Sequence, residues 1–197
     1  MCAHLSRIGE TVGHWLGVQG LLAQNRVASL VFNYSGYGRS TGRIDADQCE
    51  RDAVAAFNFL QGRMPSQPVS LLGFSLGSGV AAAIATRVAV HYLVLCAAFT
   101  SLRKAACCVG LPYSVARLLP AIWNTEETLR TCAAPVLIVH GEKDCLFPAT
   151  MARDLASACT GPSELILVPQ LSHNAPIFNP ESSYWSLIAQ RLMAGAP

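Results

Sequence analysis

Short, continuous runs of hydrophobic residues alternate along the chain with longer segments of helical period. The runs are rich in Val, Leu and Ile, which is typical of strands buried on both faces of a parallel sheet. They lie at Val27–Asn33, Val69–Gly73, Tyr92–Ala97, Val136–His140 and Leu165–Val168. The alternation predicts an α/β fold, with a mostly parallel sheet flanked by helices.

Apolar residues recur with helical spacing between these runs. The predicted helices are Asp45–Gln61, Leu76–Val88, Thr150–Ala158 and Ser182–Met193. The segment Thr100–Thr131 fits neither pattern, and its prolines, Pro112 and Pro120, indicate a short helical insertion over the edge of the sheet. Since there is no internal repeat, low-complexity tract or linker, we expect a single domain over residues 1–197, with the insertion at about 100–131.

The sharpest motif is Gly-x-Ser-x-Gly with Ser75 at its centre, preceded by a predicted strand and followed by a predicted helix. In this arrangement the serine sits on a strained turn, and Gly73 and Gly77 avoid Cβ clashes between strand and helix. The turn exposes the hydroxyl near the positive end of the helix. We therefore predict that Ser75 is a nucleophile. The alternative is an ordinary glycine-rich turn in which the serine only caps the helix.

Two further polar residues follow predicted strands. Asp144 lies beyond the strand at Val136–His140, and His173 follows the last strand. A serine hydroxyl needs a base, which His173 would supply, and Asp144 would hold that histidine in the right tautomer. Glu142 is the nearest competing acid, but it lies at the turn rather than beyond it. The order Ser, Asp, His is the one expected for this type of sheet.

With these motifs in order, the chain resembles the α/β-hydrolase superfamily from about Trp15 to Leu192. It is most similar to α/β-hydrolase-domain-containing proteins related to bud-emergence proteins and protein depalmitoylases. The resemblance rests on Asn33–Gly42, Gly73–Gly77, Phe99–Arg103, Trp123–Glu126, Val139–Asp144 and Ser172–Asn174. It implies an α/β-hydrolase fold and a serine hydrolase without a metal or organic cofactor. The implied substrates are lipid esters, acyl thioesters or other carboxylic esters, including those of acylated proteins.

The chain departs from the family at its start. In relatives, a strand ending in a His-Gly pair comes before the first helix, and a backbone N–H beyond it supplies half of the oxyanion hole. Here only Met1–His4 remains of that strand, and Leu5 and Ser6 replace the glycine and the small polar residue. We therefore expect truncated N-terminal strands, with a gap or a rearranged pairing between the first two predicted strands, in a truncated product, an isoform or a fragment. The resemblance implies the N–H groups of Leu76 and Leu5 as oxyanion donors.

Composition narrows the class of partner. Hydrophobic residues make up 52% of the chain and charged residues 13%, and the net charge of +2 is spread along it. No polybasic run is present, so the charge pattern implies neither nucleic acid nor an anionic membrane surface as a partner. The longest apolar stretch, Gly79–Ala98, is interrupted by Arg87 and His91, which argues against a membrane span.

The eight cysteines show no zinc-ligand spacing. Their positions inside apolar runs favour reduced thiols in a reducing compartment. The start of the chain lacks the layout of a signal peptide, so we expect a cytoplasmic location.

Two functions of different classes remain open at this stage. The first is an active serine hydrolase built on Ser75, Asp144 and His173. The second is a catalytically impaired hydrolase-fold module that acts through binding, which the departure at Leu5 and Ser6 favours. Acyl transfer to an acceptor other than water would use the same three residues and cannot be separated from the first function by sequence.

Overall fold

The computed structural model describes the backbone of residues 2–5, 12–173 and 183–194, and the side chains of residues 12–173 and 184–193. Within this part of the chain, six strands form one parallel sheet in the order β2-β1-β3-β4-β5-β6. The strands are β1 (Cys2–Leu5), β2 (Ser29–Phe32), β3 (Ser70–Phe74), β4 (Leu93–Cys96), β5 (Val136–Gly141) and β6 (Ser163–Val168).

Helices cover both faces of the sheet. A 3₁₀ turn (Val12–Trp15) leads into α1 (Leu16–Gln24), followed by α2 (Ala46–Arg63), α3 (Leu76–Ala85), α4 (Leu102–Cys108), α5 (Tyr113–Ala116), α6 (Thr125–Thr131), α7 (Ala149–Ala158) and α8 (Ser183–Ala194). Successive strand residues point to opposite faces, so Leu71 belongs to the core cluster that contains residues of α2, α3 and α7, whereas Leu72 belongs to the cluster that contains residues of α1 and α8. The sheet is therefore buried on both sides, as its continuous hydrophobic strands predict.

The α/β architecture predicted from the sequence is confirmed. All five predicted strands and all four predicted helices are present, with ends that differ by at most three residues. The segment predicted as a short helical insertion contains α4, α5 and α6. Helix α1 was not predicted, because glycines and apolar residues surround it and leave no clear polar face.

The predicted gap near the start of the sheet is wrong. Strand β1 lies between β2 and β3, with Cys2 level with Ser29 on one side and with Ser70 on the other. Leu5 is level with Gly73 of β3. The backbone groups that β2 and β3 turn towards each other need partners, and four residues of extended chain are enough to supply them here. Ser6 lies outside the described residues.

Parallel strands end at a common edge of the sheet, and this edge holds the candidate site. The loops after β3, β5 and β6 leave it on the same side of the sheet, with β4 between β3 and β5. Such carboxyl edges are where open α/β sheets bind their ligands.

Candidate active site

Ser75 occupies a strained turn between β3 and α3. Its backbone has φ 51° and ψ −118°, a left-handed conformation that non-glycine residues seldom adopt. The turn is held from two sides, since the Ser75 N–H donates to the Cys96 carbonyl at 3.0 Å and the Ser78 hydroxyl donates to the Ser75 carbonyl at 2.6 Å. Strain of this kind persists where the surroundings enforce it, which is common at reactive sites.

Glycine at position 73 makes the sharp turn possible. A Cβ on Gly73 would lie 2.3 Å from the carbonyl oxygen of Gly77, far inside any real contact. The strand and the helix therefore approach each other through a position without a side chain. This confirms the reason given for the glycine before the serine in the motif.

The three residues predicted as a catalytic set lie together at the carboxyl edge. The Ser75 Oγ is 3.0 Å from Nε2 of His173, and Nδ1 of His173 is 2.7 Å from Oδ2 of Asp144. All three residues are buried. A carboxylate only accepts, so Nδ1 carries the proton towards Asp144, and a neutral ring then leaves Nε2 to accept from the serine hydroxyl. By contrast, the competing acid, Glu142, is exposed.

The Asp144 carboxylate is held by the loop that carries it. Its Oδ1 accepts from the N–H groups of Leu146 and Phe147 at 2.9 and 2.7 Å. Burial raises the pKa of Asp144, but the hydrogen bonds from His173 and the Phe147 N–H outweigh it, and the pKa lies below its ordinary value. The group is therefore ionised at neutral pH.

His140 and Phe147 complete the support for this pair, and no motif in the sequence marks either residue. Nε2 of His140 donates to the Phe147 carbonyl at 2.8 Å and lies 3.5 Å from Oδ2 of Asp144. The Phe147 ring meets the His173 ring edge to face, with centroids 5.0 Å apart. Burial lowers the pKa of His140 more than the Phe147 carbonyl and Asp144 raise it. One loop thus positions the acid and touches the base.

An apolar cavity of about 440 Å³ opens beside Ser75 and His173. One wall is the face of α4 and its end, formed by Leu102, Ala105, Ala106 and Val109 at helical spacing. The remaining lining residues are Leu76, Phe99, Leu146 and Phe147. Among the described residues that line it, none is an Asp, Glu, Lys or Arg. The cavity falls in the size range of small-molecule pockets.

The predicted oxyanion donors lie on the elements that flank the serine. Leu76 is the first residue of α3, so its N–H has no acceptor within the helix and sits at the positive end of the helix dipole. Leu5 ends β1, the strand beside β3. The loop after Leu5 lies outside the described residues, and the role of Leu5 as a donor stays a prediction.

In the described part of the chain, His, Cys, Asp and Glu side chains form no group of three that could hold a metal ion. Seven cysteines with described side chains are free thiols. None of the helices whose residues are described has the length and apolar character needed to cross a membrane.

Comparison with known proteins identifies the family of the chain. The model of the hydrolase family described as "Serine aminopeptidase, S33" matches residues 1–129. The chain is 35% identical over 150 residues to an uncharacterised protein of Mycobacterium tuberculosis (strain ATCC 25618 / H37Rv), covering 75% of this chain and 53% of that protein. It is 28% identical over 148 residues to the lysophosphatidylserine lipase ABHD12 of Macaca fascicularis, covering 65% of this chain and 37% of the lipase.

Among solved structures, the monoacylglycerol lipase of Paleococcus ferrophilus superimposes with a TM-score of 0.74 at 16% identity, covering 98% of this chain and 93% of the lipase. At this identity the likeness shows the fold. The chain spans about half the length of the Mycobacterium protein that it matches and less of ABHD12. From the family match and the fold together, the chain belongs to the serine aminopeptidase S33 family of the α/β-hydrolase superfamily.

Proposed function

We propose that the chain is a serine hydrolase that cleaves carboxylic esters or thioesters of apolar acyl groups through an acyl-enzyme. The observation that carries this proposal is the hydrogen-bonded series from Ser75 through His173 to Asp144, built on a strained turn and opening on an apolar cavity. Nucleophile, base and acid within hydrogen-bond reach of one another are the geometric signature of nucleophilic catalysis by serine.

In the proposed first step, the Ser75 Oγ attacks the acyl carbon while Nε2 of His173 takes the hydroxyl proton. The ionised Asp144 stabilises the imidazolium that forms and holds Nδ1–H in place. His173 then gives the proton to the leaving alkoxide or thiolate, and the acyl group stays on Ser75. A water molecule attacks the acyl-enzyme with the same histidine as base, which releases the acid and restores the serine.

The negative charge of each tetrahedral intermediate needs donors. We assign this role to the N–H of Leu76, which has no helical acceptor, and to the N–H of Leu5 as the second donor. A single oxyanion donor contributes about a hundred- to a thousandfold in turnover. The impaired-module alternative was based on a missing strand. Because β1 lies beside β3, that reason is weakened.

The cavity supports an acyl ester over a peptide. An aminopeptidase has to pair the α-ammonium of its substrate, and no acidic side chain is among the described residues that line the cavity. The Asp144 carboxylate is engaged by His173 and two backbone N–H groups. Two of the similar proteins are named as lipases, one for lysophosphatidylserine and one for monoacylglycerol, and both names fit an apolar acyl site.

The test is a panel of p-nitrophenyl esters, matched acyl thioesters and aminoacyl p-nitroanilides, assayed with the native chain and with Ser75→Ala. We expect turnover of esters or thioesters that exceeds that of the anilides and falls by at least about a thousandfold in the variant. A control variant, Ser66→Ala, changes an exposed serine in the loop after α2 and should retain turnover.

Equal background turnover in the native chain and in Ser75→Ala, from samples that unfold cooperatively, would support the impaired binding module instead. Turnover confined to the anilides would replace the ester assignment with a peptidase. Acyl transfer to another acceptor would show as a faster loss of acyl-enzyme when an alcohol or a thiol is added.

A further inference from the structure

Exposed apolar side chains cluster just beyond the wall of the cavity. Val109 is 65% exposed, Tyr113 70%, Val115 44% and Leu118 84%. These four residues, here called the α4–α5 patch, come from ten consecutive positions of the chain. Single exposed apolar side chains are ordinary, whereas a contiguous group of them marks an interaction surface.

The patch is held in a defined shape. Gly110, with φ 96°, ends α4, and the Leu111 N–H donates to the Ala106 carbonyl at 3.0 Å. Ala116 is fully buried and fixes the inward side of α5. The Nε of Arg103 donates to the Leu119 carbonyl at 2.9 Å, which ties the far end of the patch back to α4. The apolar side chains are therefore presented outwards by fixed backbone.

The patch is continuous with the cavity. Val109 belongs to both, since it lines the cavity and is largely exposed. One and two turns earlier on α4, Ala106 and Leu102 continue the same wall towards Ser75. An apolar chain that enters past Val109 would reach the serine along this wall without meeting a formally charged lining residue.

The exposed charge within the patch is basic. Arg117 is the only charged residue within 109–121, and it is exposed. Beside it on α4, the Arg103 Nε is bonded to the Leu119 carbonyl, whereas the Lys104 ammonium lies 3.6 Å from the Glu126 carboxylate and is already paired. An apolar surface that carries an exposed arginine fits an element that lies in a lipid interface, where the cation meets anionic headgroups.

We propose that the α4–α5 patch docks on the surface of an anionic lipid layer and that the cavity takes an acyl chain directly from it. The charge pattern of the whole chain does not predict a lipid surface as a partner. The exposed apolar side chains of the patch are the reason to propose one. The acyl transfer rests on the proposed function, whereas docking does not require turnover.

The test is flotation of the chain with vesicles of phosphatidylcholine alone and of phosphatidylcholine with phosphatidylserine. Carrying Ser75→Ala in every sample separates docking from hydrolysis. We expect binding to the anionic vesicles, lowered about tenfold or more by Leu118→Glu and by Val115→Asp. The matched control is Phe59→Glu on α2, where Phe59 is 59% exposed on another element, and its binding should stay within about twofold of native.

Two patch variants are used so that one still gives a result if the other fails to fold. Cooperative unfolding shows that each variant is folded. The proposal is overturned by absence of flotation, by flotation that is equal without phosphatidylserine, or by equal losses in the patch variants and Phe59→Glu. A shift from dimer to monomer in the patch variants, without vesicle binding by the parent, would assign the patch to a second copy of the chain and overturn lipid docking. If the chain binds the anionic vesicles but, with Ser75 intact, hydrolyses no ester, the proposed function is wrong and the docking proposal stands.

Discussion

Nδ1 of His173 lies 2.7 Å from Oδ2 of Asp144, although 29 residues separate the two in the chain. The loops that carry them are tied together, because the Glu142 N–H donates to the Val168 carbonyl and the Lys143 N–H to that of Leu171. The acid and the base are therefore fixed relative to each other before any substrate binds. Such preorganisation is what a general base needs to work at full efficiency.

Replacing the acid by its amide tests this pair. Asp144→Asn keeps the size of the side chain but removes the charge that holds the tautomer of His173, so we expect ester turnover to fall by about a thousand- to ten-thousandfold. Glu142→Gln makes the same change on an exposed acid two residues earlier and should leave turnover within about twofold of native. Initial rates on a soluble ester measure both. Similar losses in the two variants would contradict the assignment of Asp144.

His140 makes stability depend on pH. Its pKa is lowered, chiefly by burial, so between its ordinary value and its folded value the unfolded state binds a proton that the folded state does not. Stability should thus fall as the pH drops below about 6.5, with a slope of up to about 1.4 kcal/mol per pH unit from this group.

Urea unfolding across this pH range, for the native chain, His140→Gln and His140→Leu, measures the effect. Both variants should lose this part of the pH dependence, since neither side chain titrates. Only Gln can still donate to the Phe147 carbonyl, so His140→Leu should be the less stable of the two at pH 7.5. A difference between native and variant that does not change with pH would contradict the account.

Gly73 should tolerate no side chain. Gly73→Ala places a methyl group against the Gly77 backbone, and we expect a loss of about 3 kcal/mol or more in the free energy of unfolding, or an insoluble product. Gly62→Ala, near the end of α2, adds a methyl with no atom within 4 Å and should raise stability by up to about 1 kcal/mol. Thermal unfolding compares them. A mild effect at position 73 would show that the turn can relax.

The cavity should select for acyl length. Burying each methylene contributes about 0.8 kcal/mol, so kcat/KM should rise about fourfold per methylene until the chain fills the cavity. Ala106→Phe narrows the cavity along α4 and should lower turnover of long-chain esters by at least about tenfold. Turnover of the acetate ester should stay within about twofold of native. Ala55→Phe on the exposed side of α2 is the control. An equal loss for all chain lengths would argue against acyl binding along α4.

The parts of this fold that could be predicted from the sequence are set by neighbouring residues along the chain. Strands β3 and β5 are buried at every position and, apart from Ser70 and His140, contain no polar side chain, and the turn at Ser75 needs a glycine before it, so both leave a pattern in the sequence. Strands β2 and β4 are as short as β1, but they lie within longer apolar runs, whereas β1 is followed at once by Ser6 and Arg7 and shows no period. The place of β1 is set by the open edges of β2 and β3.

The support of the site was not predictable for a related reason. His140 lies in a strand and Phe147 in a loop, and the bond between them forms only when the chain turns back after β5. Nothing in the spacing of seven residues marks that contact. The α4–α5 patch is likewise visible only from exposure, because its residues would be ordinary core residues if another element covered them.

Covalent labelling with a fluorophosphonate measures whether Ser75 is an activated nucleophile. The measurement is intact mass after labelling of the native chain, the heat-denatured chain and Ser75→Ala. We expect one adduct on the native chain and none on either control, because only the assembled series with His173 and Asp144 activates the hydroxyl. An unlabelled native sample that nevertheless unfolds cooperatively would contradict it.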